Sequence, residues 1–196
     1  KVICNILNRV LLYDDLFHNL EQLCFLNEKL KTEDQNRKEN YLKTSKKSYY
    51  SLYNQIYKEI KIFDGSTCIE KYLFDGYPIE KVYIPSSVLE IHENAFYNCR
   101  NLTTVSLNCI NLTKIGKRAF SGCKNLKTFI MPEKVEIIEE FTFKKCVKLE
   151  SIVFPPNLKE IKEKAFASCK SLTEIKLPSS IQKLGSGVFK KCESLK

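Results

Sequence analysis

The chain has 196 residues, of which 43% are hydrophobic and 28% charged, a composition typical of a soluble globular protein rather than a disordered one. Its 32 basic and 23 acidic side chains give a net charge of +9, but nearly all the basic residues are lysines, which favours no specific nucleic-acid partner. No apolar run approaches the roughly 20 residues of a membrane-spanning helix, so no membrane insertion is expected.

Residues 1–56 are predicted to form about three helices. The first carries apolar residues at helical spacing: Val2, Ile3, Ile6, Leu7, Val10 and Leu11. The second, which Asp14 or Asp15 can cap, carries Leu16, Leu20, Leu23, Cys24 and Leu30. The third follows a polar stretch and carries Tyr41, Leu42, Ser45, Tyr49, Leu52, Tyr53 and Ile56. The simplest interpretation is a helical cap that covers the start of the following region.

From about residue 57 onward an internal repeat of about 23 residues organises the chain. A cysteine recurs once per unit, with a Phe three residues before it and a Leu three residues after it, at Cys99, Cys123, Cys146, Cys169 and Cys192. The predicted units are 57–78, 79–101, 102–125, 126–148, 149–171 and 172–194. The first is divergent and the third has one extra residue between 108 and 111. Because the sequence stops two residues into a further unit, we expect a truncated C-terminal end.

Each unit predicts one coil of a solenoid. The pattern Leu-x-x-Ile-x-Leu has the two-residue alternation of a short strand, and the Pro that follows ends it. The segment Ala-Phe-x-x-Cys-x-x-Leu has helical or 3₁₀ spacing and turns the chain back. One coil cannot bury its own apolar side, so the coils must stack, with their strands forming a parallel sheet of one strand per coil. The repeated cysteines are predicted to be buried, reduced thiols.

Taken together, these motifs resemble the leucine-rich repeat of the BspA type. The resemblance covers about residues 57–196 and implies a curved scaffold that binds proteins. The predicted fold is therefore α+β: a helical segment over 1–56, then a leucine-rich-repeat solenoid with a short parallel sheet. The implied function is a non-enzymatic protein-interaction module, without catalytic residues, cofactor or metal. With only two histidines and no glycine-rich phosphate loop, the residues themselves also favour no enzyme.

Two alternatives remain open from the sequence. The helices before the repeats resemble a degenerate F-box, which implies an adaptor that docks the linker subunit of a cullin ubiquitin ligase through Leu16, Leu20 and Leu23. The repeats would then hold the substrate of the ligase. A cell-surface adhesin of the BspA type is the other alternative. Because no leader sequence is visible, we expect a cytoplasmic or nuclear location rather than secretion.

The partner-binding surface is predicted on the strand side of the solenoid. Strand alternation points the residue between Ile and Leu away from the core, and stacking lines these residues up. The predicted site residues are Tyr83, Ser106, Ile130, Val153 and Lys176. Large apolar side chains at solvent-facing positions are typical of a protein-binding patch. Ile130 and Val153 are therefore the expected centre of the partner-binding surface, and Tyr83 is its aromatic anchor.

Overall fold

The computed structural model describes residues 10–11, 58–62, 64–108 and 110–196. Coils 1 to 6 denote the six predicted units in chain order. Across 58–196 the chain winds through stacked coils whose apolar side chains form one continuous core. Apart from one antiparallel pair, every strand pairing among the described residues is parallel, as stacked coils require.

Most coils contribute two strands, not the single strand predicted. The first series is β2 (Glu59–Ile62), β4 (Lys81–Ile84), β6 (Thr104–Leu107), β8 (Thr128–Ile130) and β10 (Ser151–Val153). The second series is β3 (Cys68–Ile69), β5 (Glu90–Ile91), β7 (Lys114–Ile115), β9 (Ile137–Ile138), β11 (Glu160–Ile161) and β12 (Lys183–Leu184). The second strands form because the later Leu-x-x-Ile step also buries its Ile, as Ile91 does, and leaves backbone groups to be paired.

Both sheets are interrupted at the same place. The first runs β2-β4-β6 and resumes as β8-β10, and the second runs β3-β5-β7 and resumes as β9-β11-β12. Both interruptions fall between coil 3 and coil 4. Coil 3 is also the unit with the extra residue, so the breaks in pairing coincide with the one irregular coil of the repeat. Coil 6 has no first strand over 174–177, so the predicted strand position of Lys176 is wrong.

The third side of the solenoid, which we call the turn side, carries the Ala-Phe-x-x-Cys segments. These segments are hydrogen-bonded turns rather than the predicted helical or 3₁₀ structure. Every second backbone N–H of such a segment donates a hydrogen bond to the next coil. In coil 2, the N–H groups of Asn94, Phe96 and Asn98 donate to carbonyls of coil 3 at 3.0, 2.8 and 2.8 Å. Asn94 and Asn98 both have positive φ, at 57° and 55°, and most other coils repeat this pair of left-handed residues. Two left-handed residues within five break any right-handed helix.

The core of the turn side is a stack of phenylalanines. Consecutive rings from coil to coil lie nearly parallel, with centroids 5.2 to 5.7 Å apart. The stacked rings are Phe74, Phe96, Phe120, Phe143, Phe166 and Phe189. Phe129 of β8 departs from this order, because its ring packs edge-on against Phe143, with centroids 4.8 Å apart and an interplanar angle of 64°. All the stacked rings before Phe189 are fully buried.

The ladder cysteines are free thiols, and all but Cys192 are fully buried, as predicted. Each donates from Sγ to the carbonyl oxygen of the stacked Phe in the preceding coil, at 3.0 to 3.2 Å. Burial raises the pKa of the Cys123 and Cys146 thiols well above their ordinary value, because a thiolate there would lose its hydration. The cysteine therefore serves as a small apolar side chain that adds a second hydrogen bond to a carbonyl oxygen that already accepts a backbone N–H.

At the N-terminal edge of the first sheet, β1 (Val10–Leu11) pairs antiparallel with β2, placing Val10 opposite Ile62. The predicted helix is therefore wrong at Val10 and Leu11. The outermost strand of a sheet has unpaired backbone groups, and pairing them with an incoming strand satisfies them. The other residues of the predicted helices lie outside the described ones. Within the described residues the fold consists of strands and turns, without a helix.

Candidate interaction surface

Strand pairing places part of the predicted site in register. In β2, β4 and β6, Lys61 lies opposite Tyr83 and Tyr83 opposite Ser106. Alternation directs Ile60 and Val82 into the core, where both are buried. The Lys61 ammonium lies 5.8 Å from the centroid of the Tyr83 ring, within cation–π range. Tyr83 and Ser106 are both half-buried, so this part of the column is a modest polar surface with one aromatic side chain.

The apolar centre of the site lies on β8 and β10. Ile130 is paired directly with Val153, and their side chains are 70% and 56% exposed. On the same strands Phe129 and Ile152 point inward and are buried, so the outward orientation of Ile130 and Val153 follows from the pleat. Two large aliphatic side chains side by side in solvent contribute little to the hydrophobic core. This pair is therefore the strongest candidate for a surface that contacts a partner.

The predicted column is divided by the break between coils 3 and 4. No strand pairing among the described residues joins β6 to β8, so Ser106 and Ile130 belong to separate sheets. Lys176, the last predicted member, is exposed, lies outside any strand and forms an ion pair with Glu174 at 3.4 Å. The structure thus brings together Tyr83 with Ser106 and Ile130 with Val153, and gives Lys176 no partner among them.

Exposed apolar side chains that the sequence argument did not single out also lie on the strand-bearing part of the molecule. They are Leu89, Ile110, Ile137, Leu177 and Leu184. Ile110 is the most exposed, at 74%, and belongs to the extra residues of coil 3. The sequence did contain a signal for this exposure. Ile110 lies outside the repeat pattern, and an apolar residue in an insertion has no assigned place in the core.

Three other features of the described part of the chain concern metal ligands, histidine sites and membrane-spanning helices. No group of three or more His, Cys, Asp or Glu side chains there is arranged to hold a metal ion. His92 lies between Glu70 and Glu90, with ring nitrogens 3.6 and 3.4 Å from their carboxylates, on a partly exposed part of the surface. Among the described residues no helix is long and apolar enough to cross a membrane. Leu16, Leu20 and Leu23, the predicted linker-docking residues, lie outside the described residues.

Stacked parallel coils of 23 or 24 residues, with a Leu and Phe core and an outward strand column, define a solenoid of the leucine-rich-repeat class. The chain belongs to the family described as the BspA type leucine-rich repeat region, whose model matches six copies over residues 4–103 and 67–196. The resemblance stated from the repeat motifs is thereby confirmed. None of the curated proteins compared matches the chain.

Solved structures of bacterial leucine-rich repeat proteins are similar to the chain. The T. pallidum leucine-rich repeat protein is 26% identical with a TM-score of 0.55, over 71% of this chain and 84% of that one. A leucine-rich cell surface protein of Faecalibacterium prausnitzii A2-165 is 25% identical with a TM-score of 0.51, over 70% and 48%. A leucine-rich repeat protein of Eubacterium ventriosum is 30% identical with a TM-score of 0.50, over 68% and 42%. The chain thus spans about half the length, or less, of two of these proteins.

Proposed function

We propose that the chain is a non-enzymatic module that binds a protein partner on the strand side of its solenoid. The observation that carries the proposal is the registered pair Ile130 and Val153, two large aliphatic side chains that the pleat turns into solvent. Interfaces between proteins have an apolar centre surrounded by polar residues, and Thr128 and Ser151 supply polar neighbours on the same strands. Tyr83, on the other sheet segment, is an aromatic anchor beside Lys61.

The test is a double substitution, Ile130→Lys with Val153→Lys, in the full chain. Both side chains are largely exposed, so unfolding stability stays nearly unchanged while partner capture falls. A matched control carries Leu89→Lys and Leu184→Lys, two other exposed apolar positions. Capture is compared by affinity purification with quantitative mass spectrometry. Partners that are lost with the first variant and kept with the control support the proposal. Partners kept by both variants would reject the strand-side site.

Presentation at a cell surface is a second candidate. One similar structure is described as a leucine-rich cell surface protein, and the chain is 25% identical to that protein over the 70% of this chain that the similarity covers. This observation favours presentation at a cell surface over the cytoplasmic or nuclear location expected from the sequence. Labelling intact cells with a membrane-impermeant reagent, with a known intracellular protein as the control, distinguishes the two locations. Modification of the chain in intact cells supports surface presentation.

The adaptor hypothesis stays a sequence prediction that rests on Leu16, Leu20 and Leu23. None of the similar proteins named above is described as such an adaptor. Binding of the full chain to a purified linker subunit tests it directly, with a variant carrying charged residues at these leucines as the control. If the unmodified chain does not bind the subunit, the hypothesis is rejected.

A further inference from the structure

The positive charge of the protein is unevenly distributed along the solenoid. Residues 58–101 carry five basic and seven acidic side chains, a net charge of −2. Residues 102–196 carry eighteen basic and nine acidic side chains, a net charge of +9. The last four coils therefore account for the net charge of the whole chain. A lysine-rich composition alone would spread this excess over all coils, so its confinement to one end calls for a reason.

Within those coils the excess lies on the turn side. The turn segments 116–125, 139–148, 162–171 and 185–194, which we call the basic band, hold eleven basic and four acidic side chains. The rest of 102–196 holds seven basic and five acidic side chains. Backbone hydrogen bonds join these segments directly: Gly122 N–H donates to the Lys144 carbonyl, and Ser168 N–H to that of Lys190, at 2.8 and 2.7 Å. The band is thus continuous across four adjacent coils.

Lysines without an ion pair are more numerous in the band than in the rest of 102–196. Outside the band, Lys114, Lys159, Lys176 and Lys183 each lie within 4 Å of a glutamate, whereas Lys127, Lys134 and Lys196 have no carboxylate within that distance among the described residues. In the basic band, six lysines have no carboxylate within that distance among the described residues. They are Lys124, Lys144, Lys145, Lys148, Lys190 and Lys191. Five of these are exposed and Lys144 is half-buried. Unneutralised cations held in rows by a rigid backbone form a preorganised surface for a polyanion.

A half-buried aromatic ring concentrates the charge in the middle of the band. Four cations surround Phe141, which occupies one of the left-handed positions, and lie 4.9 to 5.9 Å from its ring centroid. These cations are Lys117, Arg118, Lys144 and Lys164, of which all but Lys144 also lie within 4 Å of a glutamate. The ring keeps like charges close together by cation–π attraction. A nucleic-acid base needs a free aromatic face for stacking, and cations already occupy the surroundings of this one.

We infer that the basic band binds a sulfated polysaccharide. The exposed large apolar side chains of the described residues all lie outside the four segments of the band, so it offers neither the apolar centre of a protein interface nor a group that inserts into lipid. Lysine supplies charge without the bidentate geometry that reads nucleotides. Rows of hydrated ammonium groups, repeated at the coil spacing of about 5 Å, match a linear chain with sulfate groups along its length. This surface is separate from the proposed strand-side protein site.

The test measures binding of the full chain to a heparin oligosaccharide, with variants compared at one salt concentration and the unmodified chain followed across a salt series. The band variant carries Lys→Gln at Lys124, Lys144, Lys148 and Lys190, all at ordinary backbone φ. The matched control carries Lys→Gln at Lys114, Lys159, Lys176 and Lys183, an identical loss of charge on the strand side. We expect the band variant to bind about tenfold more weakly or worse, the control to change by about twofold, and binding to weaken as salt rises.

Three results of the heparin measurements would overturn the inference. They are absence of heparin binding by the unmodified chain, equal losses in the two variants, and equal binding of fully desulfated heparin. Tighter binding to single-stranded RNA or to phosphatidylserine vesicles would assign the band to a different ligand class and would also overturn it. If the band variant is unfolded by circular dichroism, the pair Lys148→Gln and Lys190→Gln, tested against Lys159→Gln and Lys183→Gln, replaces it under the same criteria.

Discussion

The turn side and the strand sides of this solenoid hold the coils together differently. On the turn side, backbone hydrogen bonds and stacked phenylalanines pass from every coil to the next, including from coil 3 to coil 4, where Phe120 N–H donates to the Thr142 carbonyl at 3.0 Å. On the strand sides both sheets stop at that junction and resume beyond it. The comparison shows that the turn side is the continuous framework of the molecule. The strand sides tolerate an inserted residue, and it is there that the proposed partner site lies.

Truncating a ring of the phenylalanine stack tests the turn side most severely. Phe143→Ala removes a fully buried ring with stacked neighbours on both sides and leaves a cavity. We expect a loss of about 3–5 kcal/mol in unfolding free energy, measured by denaturant titration. Ile130→Ala, on the exposed strand surface, is the control and stays within about 0.5 kcal/mol. Equal losses in the two variants would contradict the assignment of core and surface.

Alkaline pH tests the thiol ladder. Burial raises the folded-state pKa of Cys123 and Cys146 above the ordinary value of 9.0, so the folded state keeps protons that the unfolded state releases. The stability that these thiols contribute is complete below pH 9 and is lost as the pH rises above it. At pH 10 the loss is about 1.4 kcal/mol per thiol relative to pH 8.

The measurement compares denaturant titrations at the two pH values for the unmodified chain and for a Cys123→Ala, Cys146→Ala variant. The variant starts less stable, but its loss between pH 8 and pH 10 is smaller by the contribution of two thiols. A pH dependence unchanged by the substitutions would show that the thiols are not buried as described.

Native-state hydrogen exchange compares the two sides directly at the junction. Amides of the turn side of coils 3 and 4, such as those of Phe120 and Gly122, donate to the next coil and are expected to exchange slowly. Amides of β8 have no strand of coil 3 as a partner, so they are expected to exchange faster than those of a strand with a partner on each side. The corresponding amides of β4, which pairs on both sides, are the internal control. Slower exchange in β8 than in β4 would contradict the break.

The smallest expected effect concerns the ion pairs between coils. Lys162 donates to Glu139 of the preceding coil at 2.9 Å, and this hydrogen bond is the largest cause of its raised pKa. Both side chains remain partly in solvent, which screens the interaction. Glu139→Gln is therefore expected to cost less than about 1 kcal/mol in a denaturant titration, with Glu136→Gln at a more exposed pair as the control. A larger cost would mean that ion pairs, rather than the core, join the coils.

The sequence predicts the periodic part of this molecule well, because a residue that recurs every coil must face the same surroundings in each. The phenylalanine stack, the buried cysteines and the outward positions of Ile130 and Val153 all follow from that rule. The second strand of each coil escaped prediction since its two residues are too short a run to show alternation. The turn segments were mistaken for helix because apolar spacing does not reveal left-handed backbone, which residues such as Phe141 and Lys145 adopt without being glycine.

The candidate site was less predictable than the core, and for a physical reason. Periodicity assigns each residue to a side of the coil, but it does not show whether strands of adjacent coils are joined. The break between Ser106 and Ile130 and the absence of a strand around Lys176 were therefore invisible. The basic band escaped as well, because net charge is a property of the whole sequence, and its concentration on one side emerges only when the coils are stacked.

The interruption between coils 3 and 4 has a consequence for folding cooperativity. In a solenoid each coil contacts only its neighbours, so stability is a sum of coil terms and of interface terms along one dimension. The interface after coil 3 has lost the strand pairing of two of its three sides. We therefore expect weak coupling at this interface, with the coils on either side of it folding and unfolding as separate blocks. A single added residue thus sets where one folding unit ends and the next begins.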